Sequence, residues 1–186
     1  MNNEKLPGDY VAGLVDGEGC FYLMYRHETK RNRTNKTTYY RWIPYFCINV
    51  REDDKDLIQK VSNTLSCGKI YLLKKRKKQN NWGDTVWFGV QNIDDVYNKI
   101  IPFFKKFPLR GKKKFDFELW EKAVKIIYDH KHKEPPFRWT HGLGRGQWRL
   151  KPYTSKEHNL LQEIRQKMRQ FKANRDKEYK NQPVSI

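Results

Sequence analysis

The sequence predicts an α+β domain, a four-stranded antiparallel sheet with helices on one face, in the order α-β-β-α-β-β-α followed by additional C-terminal helices. Two patterns predict it. Stretches with an apolar residue at every second position, the period of a half-buried strand, come in two pairs. Stretches with apolar residues three and four apart, the period of an amphipathic helix, precede, separate and follow those pairs. With 186 residues, 37% of them hydrophobic and 15% aromatic, the chain can bury a core of its own and suggests one domain, at most two small ones.

The first helix is expected over residues 7–16, with Pro7 in its first turn, where the missing N–H is tolerated. Residues 20–26 read as a strand, 27–36 as a polar, basic loop and 37–50 as a long second strand. In that strand Tyr40, Trp42, Phe46 and Ile48 make one apolar face. Tyr39, Arg41, Ile43, Tyr45, Cys47 and Asn49 make a more mixed one. Pro44 cannot donate to a ladder and marks an edge or a bulge. Asp53 or Asp54 is expected to cap the next helix, with Leu57, Ile58, Val61 and Leu65 inward and Gly68 at its end. The pattern then repeats as a strand (69–75), a polar turn (76–84) and a strand (85–92). Asp94 opens a helix that Pro102 kinks or splits. Residues 115–130 form a further helix, 134–153 an irregular stretch rich in Gly, Pro and Trp. Ser155 caps a final helix with Leu160, Leu161, Ile164, Met168 and Phe171 as its stripe. The domain is expected over 1–172, with 173–186 a basic, flexible tail.

Lys and Arg total 39 against 21 Asp and Glu, a formal charge of +18. Such an imbalance repels itself within the fold and is commonly offset by a polyanionic partner. The aromatic content is too high for a disordered basic tail, so a folded nucleic-acid binder fits both facts. No apolar run reaches the roughly 18 residues of a spanning helix, so no membrane span is expected. Residues 1–7 show neither a signal- nor a transit-peptide pattern. Cys20, Cys47 and Cys67 match neither a disulfide framework nor a zinc site and read as small buried residues of a reducing compartment. His130 and His132 are two apart, the wrong spacing for one helical face, and the five histidines form no metal constellation.

Residues 10–19 read Tyr-Val-Ala-Gly-Leu-Val-Asp-Gly-Glu-Gly. Glycine inside a helix costs roughly 1 kcal/mol relative to alanine. Gly13 and Gly17, four apart on one face, therefore need a reason, and a face that small lets two helix backbones approach closely. The segment from Val11 to Gly19 closely resembles the signature of the LAGLIDADG homing endonucleases. Residues 44–54 (Pro-Tyr-Phe-Cys-Ile-Asn-Val-Arg-Glu-Asp-Asp) and 107–117 (Phe-Pro-Leu-Arg-Gly-Lys-Lys-Lys-Phe-Asp-Phe) are also similar to that family, in the right order. The resemblance covers about residues 6–130 and continues more weakly through 150–168.

The resemblance implies a site-specific enzyme that cuts both strands of a long, near-palindromic DNA site with Mg²⁺, for which Mn²⁺ substitutes. It implies that Glu18 binds the catalytic metal, with the Gly17 carbonyl as a further ligand. Phosphodiester cleavage needs a nucleophilic water and neutralised phosphoryl charge, which a metal held by carboxylates supplies. One carboxylate makes a poor Mg²⁺ site, and two copies of Glu18 serve better. A single motif implies a homodimer with a two-fold axis between the motif helices, placing Ala12, Gly13, Asp16 and Gly17 at the interface. Asp16 reads also as structural, holding the helix end. The resemblance places a lysine near the scissile phosphate. Lys112 fits best by its spacing from Leu109, Lys113 is possible, and a solvated charge run is the alternative. Arg51 stands where relatives place a polar or basic active-site residue, while Val50 departs from relatives that carry glutamine.

A sheet face lying along the major groove can read bases with arginine and amide side chains, while loop lysines contact phosphates. The candidates for such a face are Tyr22, Met24, Arg26, Lys30, Arg31, Arg33, Tyr39, Arg41, Tyr45, Lys69, Tyr71, Lys75, Arg76, Lys78, Gln79, Asn80 and Trp87. Genes of this family sit inside introns or inteins, so an organelle or a bacterial cytoplasm is implied. The rival readings are an intron RNA-binding maturase and a non-cleaving DNA-binding protein. Glu18 favours the enzyme, because RNA binding alone has no use for a carboxylate beside a phosphate.

Overall fold

A computed structural model describes residues 4–31, 36–74, 83–133, 137–139, 147–149 and 152–180. Helix α1 (Gly8–Glu18) leads into β1 (Gly19–Arg31) and β2 (Lys36–Arg51). A 3-10 turn (Glu52–Asp54), α2 (Lys55–Leu65), β3 (Lys69–Leu73) and β4 (Thr85–Val90) follow. Then come α3 (Ile93–Asp95), a π-helical turn (Val96–Ile100), α4 (Ile101–Lys106) and α5 (Lys113–Lys133). A small hairpin of β5 (Phe137–Trp139) and β6 (Gln147–Arg149) precedes α6 (Ser155–Lys180). Strands β1 to β4 form one antiparallel sheet in the order β1-β2-β4-β3. The α+β order expected from the apolar periods is the one observed.

The differences have local causes. Strands β1 and β2 pair in unbroken register from Gly19↔Ile48 to Arg31↔Lys36, past the point where a loop was expected, because ladder hydrogen bonds hold a hairpin whose side chains stay polar. Tyr40 follows the inward alternation yet is 55% exposed, its ring stacked on Tyr25 and His27 at 5.4 and 4.8 Å. Pro44 pairs with Leu23 of β1 but lies outside the β4 pairing, which begins at Phe46, so it occupies an edge position without a bulge. Asp54 sits before α2 without a side-chain cap bond, and the helix ends at Ser66 in the left-handed region rather than at Gly68. Gly68 has φ +89, and a Cβ there would meet the Phe88 ring at 2.5 Å. Pro102 cannot donate to the turn before it, and the chain widens there into the π turn ahead of α4.

Thr154, not Ser155, caps α6. Its hydroxyl accepts from the Glu157 N–H at 3.2 Å, and the Glu157 carboxylate accepts from the Thr154 N–H and hydroxyl at 2.8 Å each. This reciprocal pair is a capping box. Helix α6 runs on to Lys180, past the residue where a flexible tail was expected to begin. Leu160, expected in its buried stripe, is 43% exposed. The Phe171 side chain lies outside the described residues. Part of the stretch expected to be irregular is the β5–β6 hairpin.

The core lies between one sheet face and the helices. Phe21, Leu23, Phe46, Ile48, Val86, Phe88 and Val90 meet Val11 and Val15 of α1, Ile58 and Val61 of α2, and Phe117, Trp120 and Val124 of α5. Phe21 is its hub, fully buried, with ring centroids of Phe46, Trp120, Phe117 and Phe104 at 5.0, 5.1, 5.4 and 5.6 Å. Trp120 satisfies its indole N–H on the Tyr22 carbonyl at 3.2 Å, fixing α5 to β1 four residues past the end of α1. Phe21→Ala should destabilise the chain by about 3–5 kcal/mol, measured by equilibrium unfolding.

Helices α5 and α6 meet through a polar contact. His130 is buried, stacks on Tyr153 at 4.0 Å and lies 3.4 Å from the Glu157 carboxylate. Burial opposes ionisation of Glu157, but the Thr154 N–H and hydroxyl and then His130 outweigh it and hold its carboxyl below the usual range. Hydrogen bonds from Lys131 and His132 hold the Asp94 carboxyl low as well, against a smaller opposing effect of burial. Carboxyls lowered in the folded state stabilise it above their unfolded values, near pH 4, and lose that contribution as pH falls through the folded ones. Stability should therefore decline on acidification below about pH 4, and Glu157→Gln should flatten that decline in pH-dependent denaturation.

Candidate active site

The end of α1 is fixed by a two-way clasp. The Asp16 carboxylate accepts from the Arg110 and Gly111 backbone N–H groups at 2.8 and 3.0 Å. In return the Lys113 ammonium donates to the Asp16 and Gly17 carbonyls at 2.9 and 2.6 Å. These carbonyls belong to the last turn of α1, whose unsatisfied acceptors and partial negative charge favour a cation. Gly111 allows the approach, since a Cβ there would stand 3.1 Å from the Asp16 Oδ1. Gly19 lets the chain turn straight from helix into strand, because a Cβ would lie 2.5 Å from Val15 Cγ1. Glu18, the last residue of α1, is exposed at the foot of the sheet.

The expected catalytic residues separate here. Lys113 reaches the α1 end. The exposed Lys112, favoured by spacing, contributes its backbone carbonyl to the Phe115 N–H at 3.3 Å. Arg51 is exposed and paired with Asp53 at 3.1 Å. The Gly17 carbonyl, expected as a metal ligand, already holds Lys113, which leaves it one lone pair for another partner. Glu18 is an oxygen donor suited to a hard divalent ion. Among the described residues no group of three or more His, Cys, Asp or Glu gathers as a metal site. The donors fit a divalent ion, and one copy of the chain supplies an incomplete set.

The expected interface residues also separate. Ala12 is 4% exposed within the chain's own core, and Asp16 is occupied by the clasp. Gly13 and Gly17 are exposed, and a Cβ on either would meet nothing within 4 Å. Tyr10, 52% exposed, and the half-buried Leu14 share their face. The spacing 10, 13, 14, 17 is a helical stripe that could have been read from the sequence.

The sheet face away from the core carries four directly opposed pairs of β1 and β2. From the α1 end outward they are Cys20/Cys47, Tyr22/Tyr45, Met24/Ile43 and Arg26/Arg41. The two arginines are exposed. An aromatic row crosses all four strands, with centroid separations of 5.0 Å for Tyr22–Tyr45, 5.4 Å for Tyr45–Trp87 and 6.4 Å for Trp87–Tyr71. Gly89 makes room for it, since its Cβ would meet the Tyr45 hydroxyl at 2.4 Å. Tyr45, expected to contact a partner, is only 6% exposed. Burial, then Cys47, Tyr45 and Cys20, pushes the Tyr22 hydroxyl up, and burial, then Cys47 and Tyr71, does the same to Tyr45. Both stay protonated at neutral pH. Lys69 and Tyr71 are exposed on β3. Lys30 and Arg31 lie in β1 and Tyr39 in β2, and Arg33, Lys75, Arg76, Lys78, Gln79 and Asn80 lie outside the described residues. Arg165 and Arg169 of α6, which open the basic run 165–180 that the sequence offers as a solvated helix face with weak phosphate contacts, line a shallow crevice of about 230 Å³ with Tyr22 and Met24 at the β1 edge.

The LAGLIDADG endonuclease family model matches residues 11–124. The chain belongs to that family. It is 30% identical over 105 residues to a probable intron-encoded DNA endonuclease 1 of Mycosarcoma maydis, covering 56% of this chain and 32% of that protein. It is 29% identical over 122 residues to a probable intron-encoded endonuclease 3 of Neurospora crassa, covering 65% and 20%. The chain thus spans a third or less of these relatives. Among solved structures, the I-LtrWI LAGLIDADG homing endonuclease bound to target DNA matches with a TM-score of 0.61 at 23% identity, over 90% of this chain and 45% of that one. The meganuclease I-SmaMI bound to uncleaved DNA in the presence of calcium ions matches with a TM-score of 0.57 at 22% identity, over 88% and 45%. These likenesses agree on the fold. No described helix is long and apolar enough to cross a membrane.

Lys113→Ala should cost about 1–2 kcal/mol of stability, since hydrogen bonds to a charged group contribute roughly 1.5–3 kcal/mol and this one is half-exposed. Lys112→Ala should change stability by less than about 0.5 kcal/mol. Chemical denaturation of the two variants distinguishes them.

Proposed function

We propose that this chain is a metal-dependent DNA endonuclease that works as a pair of copies of its fold, two copies of this chain forming a homodimer. The observation that carries the reading is the exposed Glu18 at the clasped end of α1, where the α1 stripe and the arginine-bearing sheet face meet. Gly13 and Gly17 cost roughly 1 kcal/mol each, and no neighbour among the described residues requires either. A second α1 packed on Tyr10, Gly13, Leu14 and Gly17 supplies the reason and brings a second Glu18 to the same place. The proposed domain is 1–172, with α6 continuing from it.

The charge of +18 and the exposed Arg26 and Arg41 on the outward sheet face suit a duplex laid along the sheet. Arg26, Arg41, Lys69 and Tyr71 contact it, joined by Arg165 and Arg169. Glu18, with the remaining lone pair of the Gly17 carbonyl, holds a divalent ion, in the cell Mg²⁺. Such an ion supplies an activated water and neutralises phosphoryl charge. Lys113, held by two carbonyls, keeps a positive charge beside Glu18 and orients polar groups at the scissile phosphate. Two such sites cut one strand each. Intron-encoded relatives favour an organelle as the setting.

The test is selection of cleaved molecules from a randomised duplex library with Mg²⁺. Wild type should enrich a near-palindromic site, and Glu18→Gln should bind that site but not cut it. Cleavage by the Gln variant at the wild-type rate would contradict the role of Glu18. Gly13→Ala gives a second test with opposite signs. It should stabilise the separated chain by up to about 1 kcal/mol and weaken self-association in light scattering. Unchanged association would remove the stripe from the interface.

A further inference from the structure

Strands β1 and β2 bring two cysteines together that stand far apart in sequence. Cys20 and Cys47 are Cα partners across the antiparallel pair and share one apolar cluster with Tyr22, Ile43, Tyr45 and Trp87. Directly opposed residues in such a pair have Cα atoms about 4.5 or 5.5 Å apart, according to their place in the ladder. Both separations fall inside the roughly 4.4–6.8 Å span of disulfides. Neither cysteine is in a disulfide here. Cys20 is half-buried and Cys47 is 7% exposed. Cys67 lies apart, past the end of α2, where burial, reinforced by Asp95, pushes its thiol up to about 12.

We propose that Cys20 and Cys47 form a reversible thiol–disulfide pair, oxidised by a small disulfide of the glutathione class. Cys20, the more exposed, gives its proton to solvent, and its thiolate attacks one sulfur of the small disulfide. A Cys20–glutathione bond forms, the original S–S bond breaks, and one glutathione leaves as a thiolate that takes up a proton. Cys47 then loses its proton and attacks the Cys20 sulfur. The protein disulfide forms and the second glutathione leaves in the same way. In sum two protein thiols are oxidised to one disulfide while one small disulfide is reduced to two thiols. The ladder already spaces the two strands for the bond, so bridging needs no backbone movement, and thiol–disulfide exchange with the small thiol runs in either direction. The link ties β1 to β2 two residues from Glu18, beside the Tyr22–Tyr45 pair, so it acts where the sheet face meets the α1 end. The chemistry stands independently of the nuclease reading.

The test uses the full chain with about a tenfold excess of oxidised over reduced glutathione, followed by denaturation, alkylation and peptide mapping by mass spectrometry. The expected result is one alkylated thiol, on Cys67, and a crosslinked peptide joining Cys20 to Cys47 that excess reduced thiol reopens. Cys47→Ser should stop at a glutathione adduct on Cys20. Three alkylated thiols in the wild type would overturn the proposal, as would a crosslink between chains or glutathione spread equally over Cys20 and Cys67. The wild-type map decides even where the variant fails to fold.

Discussion

The clasp between the end of α1 and the start of α5 is the constraint on which the rest of the site depends. A helix ending leaves carbonyls without partners, and a loop leading into the next helix leaves N–H groups in the same state. Here each side satisfies the other. The Asp16 carboxylate takes the Arg110 and Gly111 N–H groups, and the Lys113 ammonium takes the Asp16 and Gly17 carbonyls. Segments more than ninety residues apart are thereby joined at one point. Glu18 follows in the next position, and Gly19, unable to carry a Cβ beside Val15, turns the chain into β1. From there Phe21 enters the core and Tyr22 enters the outer face, so the clasp sets where both layers begin.

Several outward features are costly in one chain alone. Gly13 and Gly17 weaken α1 without a neighbour among the described residues that needs them. The Gly17 carbonyl and Glu18 offer too few oxygens for a hard cation. In the proposed pair of copies each would have its own compensation: a second small helix face and a second carboxylate. All of them lie about the C-terminal half of α1.

Much of this was legible in the sequence. The two alternation patterns gave the paired strands, and Gly13, Gly17 and Glu18 marked α1 because small residues and an acid at those intervals are hard to explain otherwise. What was hidden depends on three-dimensional approach. Spacing from Leu109 favoured Lys112, but the turn ahead of α5 directs Lys113 to the carbonyls. Ala12 is only a methyl larger than its glycine neighbour, and the helix rotation alone sends it into the core. Thr154 and Ser155 are both good caps, and Glu157 selects the first by returning a bond. Tyr45 alternates with the outward residues, yet its neighbours cover it. The opposition of Cys20 and Cys47 is a matter of register, which composition does not contain.

The most direct test of the clasp as a single unit is a double-mutant cycle on Asp16→Asn and Lys113→Met, read by equilibrium unfolding. If the two halves hold one another in place, the losses will not add, and the coupling should reach about 1 kcal/mol or more. Losses that add within about 0.3 kcal/mol would mean that the two contacts form independently and that the end of α1 is positioned by something else.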